Sequence, residues 1–191
     1  MTPPPLVLAS GSPRRLALLA QIGVVPECVV STGIDETPLP RELPRQAAQR
    51  LARAKAGAAA RPGAFVLAAD TVVAVGRRML PKAQSIEEAR RCLTLLSGRR
   101  HHVLTAVVVV APDGKRGERL SDSTVAFARL TARQIEAYLA GEEWHGKAGG
   151  YAIQGFSAAH IRWLSGSYSG VVGLPLFETA QLLRGLGYPL P

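Results

Sequence analysis

Leu6–Arg15 reads LVLASGSPRR, four apolar residues followed by Ser10-Gly11-Ser12, then Pro13 and two arginines. An apolar run of this length reads as a buried strand, and Ser followed by Pro reads as a helix N-cap and first helical residue. A strand therefore feeds a helix through three small residues, the unit from which α/β sheets are built. The first turn of such a helix presents unpaired backbone N–H groups and the positive end of the helix dipole. Arg14 and Arg15 add two planar forks suited to phosphate. An ordinary turn carrying two solvated arginines is the competing reading, and the rest of the chain decides between them.

Moving outward, 191 residues of which 47% are hydrophobic bury a substantial core, in one domain over residues 1–191 or in two lobes that share a sheet. No apolar run is long enough to span a membrane, and MTPPPLVLAS lacks the charged region and apolar core of a signal peptide, so a cytoplasmic protein is expected. Cys28 and Cys92 have no metal spacing and read as small core residues. The net charge of +9 points to an anionic partner. Aromatic residues make up 5% of the chain and are not interleaved with basic runs, which argues against a stable nucleic-acid complex. Only four of the 23 basic residues are lysines, Lys55, Lys82, Lys115 and Lys147, which reads either as positions where a compact ammonium is wanted or as compositional drift toward arginine.

The first helix is expected from Pro13 to Ile22, with Leu16, Leu18, Leu19 and Ile22 inward and Gly23 as its stop. ECVVSTG (Glu27 to Gly33) reads as a strand, followed by a proline-broken loop holding Asp35 and Glu36. Pro44 to Ala60 is an alanine-rich helix with Lys55 in its last third. Ala64 to Gly76, AFVLAADTVVAVG, is apolar on both faces except at Asp70 and Thr71, the signature of a central strand. A carboxylate there needs a partner, a hydrogen bond or a metal, and is expected where the strand ends. Ser85 with Glu88, and Thr131 with Gln134, make capping boxes for two further helices. His102 to Ala111 and Arg116 to Ala128 form a long antiparallel hairpin around Pro112-Asp113-Gly114-Lys115. Gly141 to Ser157 is a glycine-rich functional loop, Ala159 to Leu164 a strand, and Gly166 to Leu176 a second glycine-rich loop before a last helix opened by Pro175. The sum is an α/β fold: a mixed twisted sheet with about five flanking helices and two lobes around a central cleft.

Walker-type and dinucleotide-binding glycine motifs are absent. His101 and His102 are strand neighbours that point to opposite faces and cannot share a metal, and His145 and His160 stand alone. GSYSG (Gly166 to Gly170) resembles a nucleophile elbow without, on this reading, its strand-to-helix context. What remains is Ser10, Arg14, Arg15, Lys55 and Lys82 as phosphate partners, with Glu36 and Asp70 as hard oxygen ligands. That set suits metal-assisted attack of water on a polyphosphate, with a carboxylate taking the proton.

These residues lie in an ordered series: LASGSPRR (Leu8 to Arg15), TGIDE (Thr32 to Glu36), RLARAKA (Arg50 to Ala56), AADTVV (Ala68 to Val73), LSG followed by HHVLTAV (Leu96 to Val107), KAGGYAIQG (Lys147 to Gly155) and GSYSGVVGLPL (Gly166 to Leu176). Across the whole chain the series resembles the Maf family, nucleoside triphosphate pyrophosphatases once named for septum formation. The resemblance implies an inosine-triphosphatase-like fold, a nucleoside triphosphate substrate cleaved between the α and β phosphates, and a divalent cation, Mg2+ or Mn2+. It implies Asp70 as proton acceptor, beside the reading of Asp70 and Glu36 as metal ligands. Arg14, Thr71 and Gln154 match the positions that mark members acting on dTTP and UTP, and the Gln amide offers the donor and acceptor that match the O4 and N3–H edge shared by thymine and uracil. Homodimers are common in the family, although no exposed stripe in this sequence marks an interface.

Two departures stand out. The family's usual L-x-K-P is Leu80-Pro81-Lys82-Ala83 here, and the usual acid before K-A-G is Gly146. Two alternatives to dTTP and UTP hydrolysis stay open at this point: a pyrophosphatase for modified nucleotides, and a non-catalytic nucleotide-binding regulator of septum formation.

Overall fold

The computed structural model describes residues 4–190. Strand β1 (Leu6–Ala9) passes through Ser10-Gly11-Ser12 into helix α1 (Pro13–Gln21). There follow β2 (Cys28–Val29), α2 (Pro44–Ala58), β3 (Phe65–Val75), β4 (Arg78–Leu80) and α3 (Ile86–Leu96). The second half contributes β5 (Arg100–Val110), β6 (Arg116–Phe127), α4 (Ala132–Leu139), a 3₁₀ turn (Phe156–His160), β7 (Ile161–Ser165), α5 (Tyr168–Val172) and α6 (Leu176–Gly185). The strands form one mixed sheet in the order β2-β1-β3-β5-β6-β7, with β4 paired to β3. β1 runs parallel to β2 and β3, and the later pairings are antiparallel.

The alternation of β3 builds a core on each face of this sheet. Phe65, Leu67, Ala69 and Val73 pack with Leu18, Leu19, Leu93, Phe127 and Leu183 on one face. Val66, Ala68, Val72 and Ala74 pack on the other against the alanines of α2, whose small side chains let helix and sheet approach closely. Asp70 shares the α2 face by register, and Thr71 the opposite one.

The described residues correct several expectations. Asp70 sits in mid-strand, not at a strand end, but on one edge its neighbours stop short: β1 pairs β3 only from Phe65 to Ala68, and β4 pairs only from Val73 to Val75. A gap in the sheet therefore opens beside Asp70–Val72, while β5 pairs continuously along the other edge from Val66 to Ala74. In α1 the inward stripe is Arg15, Leu18, Leu19 with Ile22 partly buried, and Leu16 is exposed, because the i, i+3, i+4, i+7 series starts at Arg15. Ser12 makes no side-chain cap; its own N–H donates to Ser10 Oγ. ECVVSTG keeps only Cys28–Val29 as strand. Gly76-Arg77 closes an unforeseen hairpin between β3 and β4.

GSYSG does lie between a strand and a helix, β7 and the short α5 that Ser167 caps, which makes six α-helices among the described residues in place of about five. Ser169 is not a nucleophile paired with histidine, since its hydroxyl meets Ser167 and the Leu176 N–H. At the start of α3, Ser85 accepts from the Glu88 N–H, but Glu88 reaches back to the N–H of Gln84 and not to that of Ser85. The Thr131/Gln134 capping box forms in full. Cys92 is buried and Cys28 half-buried, both as free thiols.

Candidate active site

The gap in the sheet is where the predicted residues collect. Lys55, one turn from the end of α2, is buried and places Nζ 2.5 Å from Asp70 Oδ1 and 2.6 Å from Glu36 Oε1. Lys82 pairs with the other oxygen of Glu36. Asp70, Lys55, Glu36 and Lys82 thus form one ionic chain, in which Asp70 is 2% exposed. Burial acts to raise the Glu36 pKa, but hydrogen bonds from Lys55 and Lys82 outweigh it and hold the carboxyl down to about 2. Asp70 is thereby satisfied as a buried carboxylate must be.

Two pockets meet at this chain, one from each face of the sheet. The larger, an open cleft of about 430 Å³, is lined by Ser10, Arg14, Arg15, Lys55, Thr71 and Gln154, together with Glu36 and Lys82. That volume is within the range of small-ligand sites. The second is more apolar and is lined by Asp70, Glu36, Leu51, Met79 and Lys82. The sequence reading names Ser10, Arg14, Arg15, Lys55, Thr71, Lys82, Gln154, Glu36 and Asp70 as one set without placing them on the sheet. The structure brings them to the gap from both faces, with Asp70 on the α2 side and Arg14, Arg15 and Gln154 on the other. Glu36, Thr71 and Lys82 border both pockets.

Hydrogen-bond accounting separates residues that face a ligand from residues that hold the site. Arg15 is buried and donates to Gly173 O at 2.7 Å, Ser10 Oγ at 3.0 Å and Thr71 Oγ1 at 3.3 Å. Burial lowers its pKa and the neighbouring Asp70 carboxylate opposes that. Thr105 spends its hydroxyl hydrogen on Gly170 O at 2.7 Å, so Thr71 must donate across the 3.0 Å contact to Thr105. Arg15, Thr71 and Thr105 therefore form a directed relay that ties α1, β3, β5 and α5 together. Arg14 is less committed, reaching among the described residues only Val172 O, at 3.4 Å through Nε.

Gln154 is exposed at the cleft, and its loop is braced from behind. Tyr138 Oη accepts the Ala152 N–H at 3.1 Å, Ser157 donates to Ala152 O at 2.6 Å, and Tyr151 Oη meets His101 Nε2 at 2.8 Å. The opposite-face prediction for the histidine pair holds: His101 is buried, whereas His102 is exposed and paired with Asp122.

Both sequence departures fall in one small ladder. Gly146 N–H donates to Ala83 O at 2.8 Å, Ala83 N–H to Lys147 O at 3.1 Å, and Gly149 N–H to Pro81 O at 3.0 Å. A proline at 83 would lack the second of these donors. Lys82 keeps its place beside Glu36 despite the moved proline. Sequence reasoning did not include Lys147 among the site residues, although it lines the cleft; its membership in a set of only four lysines was the available signal.

With this geometry in place, comparison with known proteins gives a consistent result. A family model described as Maf-like protein matches residues 5–186. The dTTP/UTP pyrophosphatase of Granulibacter bethesdensis is 64% identical over 200 residues, covering 96% of this chain and 94% of the relative. The dTTP/UTP pyrophosphatase of Rhodospirillum rubrum is 61% identical, covering 96% and 89% respectively. That of Gluconobacter oxydans is 64% identical, covering 95% and 87%. A match that runs through β1, the gap and the last helix, with relatives this similar over nearly their full length, leaves one assignment: the chain belongs to the Maf-like protein family.

Proposed function

We propose that the protein is a nucleoside triphosphate pyrophosphatase that hydrolyses dTTP to dTMP and diphosphate, and UTP to UMP and diphosphate. The observation that carries this reading is the Asp70–Lys55–Glu36–Lys82 chain at the gap in the sheet, bordering a cleft with three further cations, Arg14, Arg15 and Lys147. The shared name of the relatives supports dTTP and UTP over modified nucleotides, and turnover over a purely regulatory role.

The reading includes a divalent cation, Mg2+ or Mn2+. The donor set fits one, because oxygens of Asp70 and Glu36 already converge on a single cationic centre, Lys55 Nζ. A hard cation needs only one or two carboxylates when phosphates and water complete its shell. When bound, it neutralises phosphate oxygens and polarises phosphorus.

The chain's own residues do the rest. Asp70 takes a proton from water as the water oxygen bonds to a phosphorus of the α–β anhydride and the bridging P–O bond breaks. Lys55 and Lys82 stabilise the charge that develops on the departing diphosphate. Arg15, fixed by its relay, supplies a constant positive field beside Ser10 and Thr71. Gln154 faces the pyrimidine edge. The test is a panel of nucleoside triphosphates with Mg2+ or Mn2+ and detection of pyrophosphate. dTTP and UTP should lead the panel, and release of orthophosphate in place of pyrophosphate overturns the bond assignment.

A further inference from the structure

The cleft holds more positive charge than its own acids neutralise, and the surplus is localised. Lys55 and Lys82 are paired with Asp70 and Glu36, and the guanidinium of Arg15 is engaged by Gly173, Ser10 and Thr71. Two cations remain. Arg14 touches only the Val172 carbonyl, and Lys147 Nζ only the carbonyl of His145 at 2.9 Å; among the described residues neither has a carboxylate at ion-pair distance. They also feel each other: burial lowers the Lys147 pKa and the charge of Arg14 lowers it further, with Glu143, beyond ion-pair distance, opposing them only in part. Burial likewise lowers the pKa of Arg14. Two partly buried cations facing one cleft, with no carboxylate in direct contact, repel each other at a cost that an anion between them removes.

The backbone fixes where this surplus lies. The pairing of Pro81–Ala83 with Gly146–Gly149 places Lys82 and Lys147 on adjoining strands of one short ladder, so both side chains are carried by the same rigid piece. We propose that Lys147 is a substrate-binding residue which, with Arg14, grips the polyphosphate of the nucleotide in the cleft. The identity of the anion as a nucleoside triphosphate rests on the pyrophosphatase reading; the anion site itself does not.

The experiment compares wild type with Lys147→Met and Lys147→Arg. Binding of inorganic tripolyphosphate is measured by calorimetry at fixed ionic strength, and KM and kcat are measured for dTTP. A charge-assisted hydrogen bond of this kind predicts a loss of about tenfold or more in tripolyphosphate affinity for Lys147→Met, and a KM for dTTP raised by a similar factor with kcat little changed. Lys147→Arg should stay within a few-fold of wild type. Both variants should melt close to wild type, since Nζ makes one bond to a nearby carbonyl. Unchanged tripolyphosphate affinity and unchanged KM in Lys147→Met overturn the assignment. A wild type that turns over no nucleotide, yet loses tripolyphosphate affinity on Lys147→Met, retires the pyrophosphatase reading and upholds the anion contact.

Discussion

At the residue scale, the most informative side chain is the one acid in an apolar strand. Asp70 was legible because a carboxylate among Ala68, Ala69 and Val72 has no structural reason to be there without a partner. Its partner Lys55 was legible as a scarce lysine. That Lys55 would bridge Asp70 to Glu36 was not, because it depends on α2 crossing the face of β3 to which Asp70 points. Asp70→Asn keeps the shape of the site but removes the base, and dTTP turnover should fall by roughly 10²- to 10⁴-fold. Tripolyphosphate binding should survive, which separates lost chemistry from a lost site. Equal turnover in the variant rules out Asp70 as proton acceptor. Gln154 makes a different prediction. Its exposed amide at the cleft has no part in the brace formed by Tyr138, Ser157 and Tyr151, so Gln154→Ala should spare folding and reduce the preference for dTTP and UTP over CTP by about tenfold. Unchanged selectivity, read from kcat/KM ratios, places the base elsewhere.

Elements were legible where local chemistry is strong and hidden where tertiary contacts decide. Pro13, the Thr131/Gln134 box and the Pro112-Asp113-Gly114-Lys115 turn between β5 and β6 announce themselves. The two-residue hairpin into β4 and the five-residue α5 do not, since neither is stable apart from the sheet that each one packs on. Leu16 and Arg15 exchanged places because a buried arginine is an improbable inward residue until Ser10, Thr71 and Gly173 are seen to satisfy it. The loop Gly146–Gly150 is a sharper test of how an element holds the site. Gly149 has φ +72°, and an added Cβ would lie 2.9 Å from Val73 Cγ1, in the cleft wall. Gly149→Ala should therefore combine backbone strain with overpacking and cost about 2–4 kcal/mol, a drop in Tm of roughly 5–15 °C. Gly146 is the control: with φ +65° and nothing within 4 Å of an added Cβ, Gly146→Ala should cost only the strain, about 1–2 kcal/mol. Equal losses for the two variants mean that contact with Val73 does not secure the loop.

For the whole molecule, the site exists because the sheet is interrupted. β1 ends opposite Ala68 of β3, β4 takes up pairing with β3 only from Val73, and through that opening a helix on one face and loops on the other reach the same few ångströms of backbone. No local sequence pattern encodes such a gap; it follows from the lengths of three strands that meet at one edge. The far wall depends in turn on His101. Its Nε2 meets Tyr151 Oη, its Nδ1 is buried without a hydrogen-bond partner among the described residues, and Tyr151 stacks edge-on against Phe127. Burial, helped by the neighbouring His102, pushes the His101 pKa down to about 4. The unfolded chain, with a histidine near its ordinary 6.5, binds the proton first, so stability must fall as pH drops through the interval from 6.5 to 4. Between pH 7 and pH 5 this single group costs about 2 kcal/mol, a fall in Tm of roughly 4–8 °C. Glu36, held near 2, adds its loss only below its ordinary 4.5, so the two acid limbs are separable in a melting series. His101→Gln should flatten the upper limb and leave the lower one in place. A wild-type Tm that is level from pH 7 to pH 5 means that His101 accepts its proton in the folded protein, and that Tyr151 and the cleft wall tolerate a buried charge.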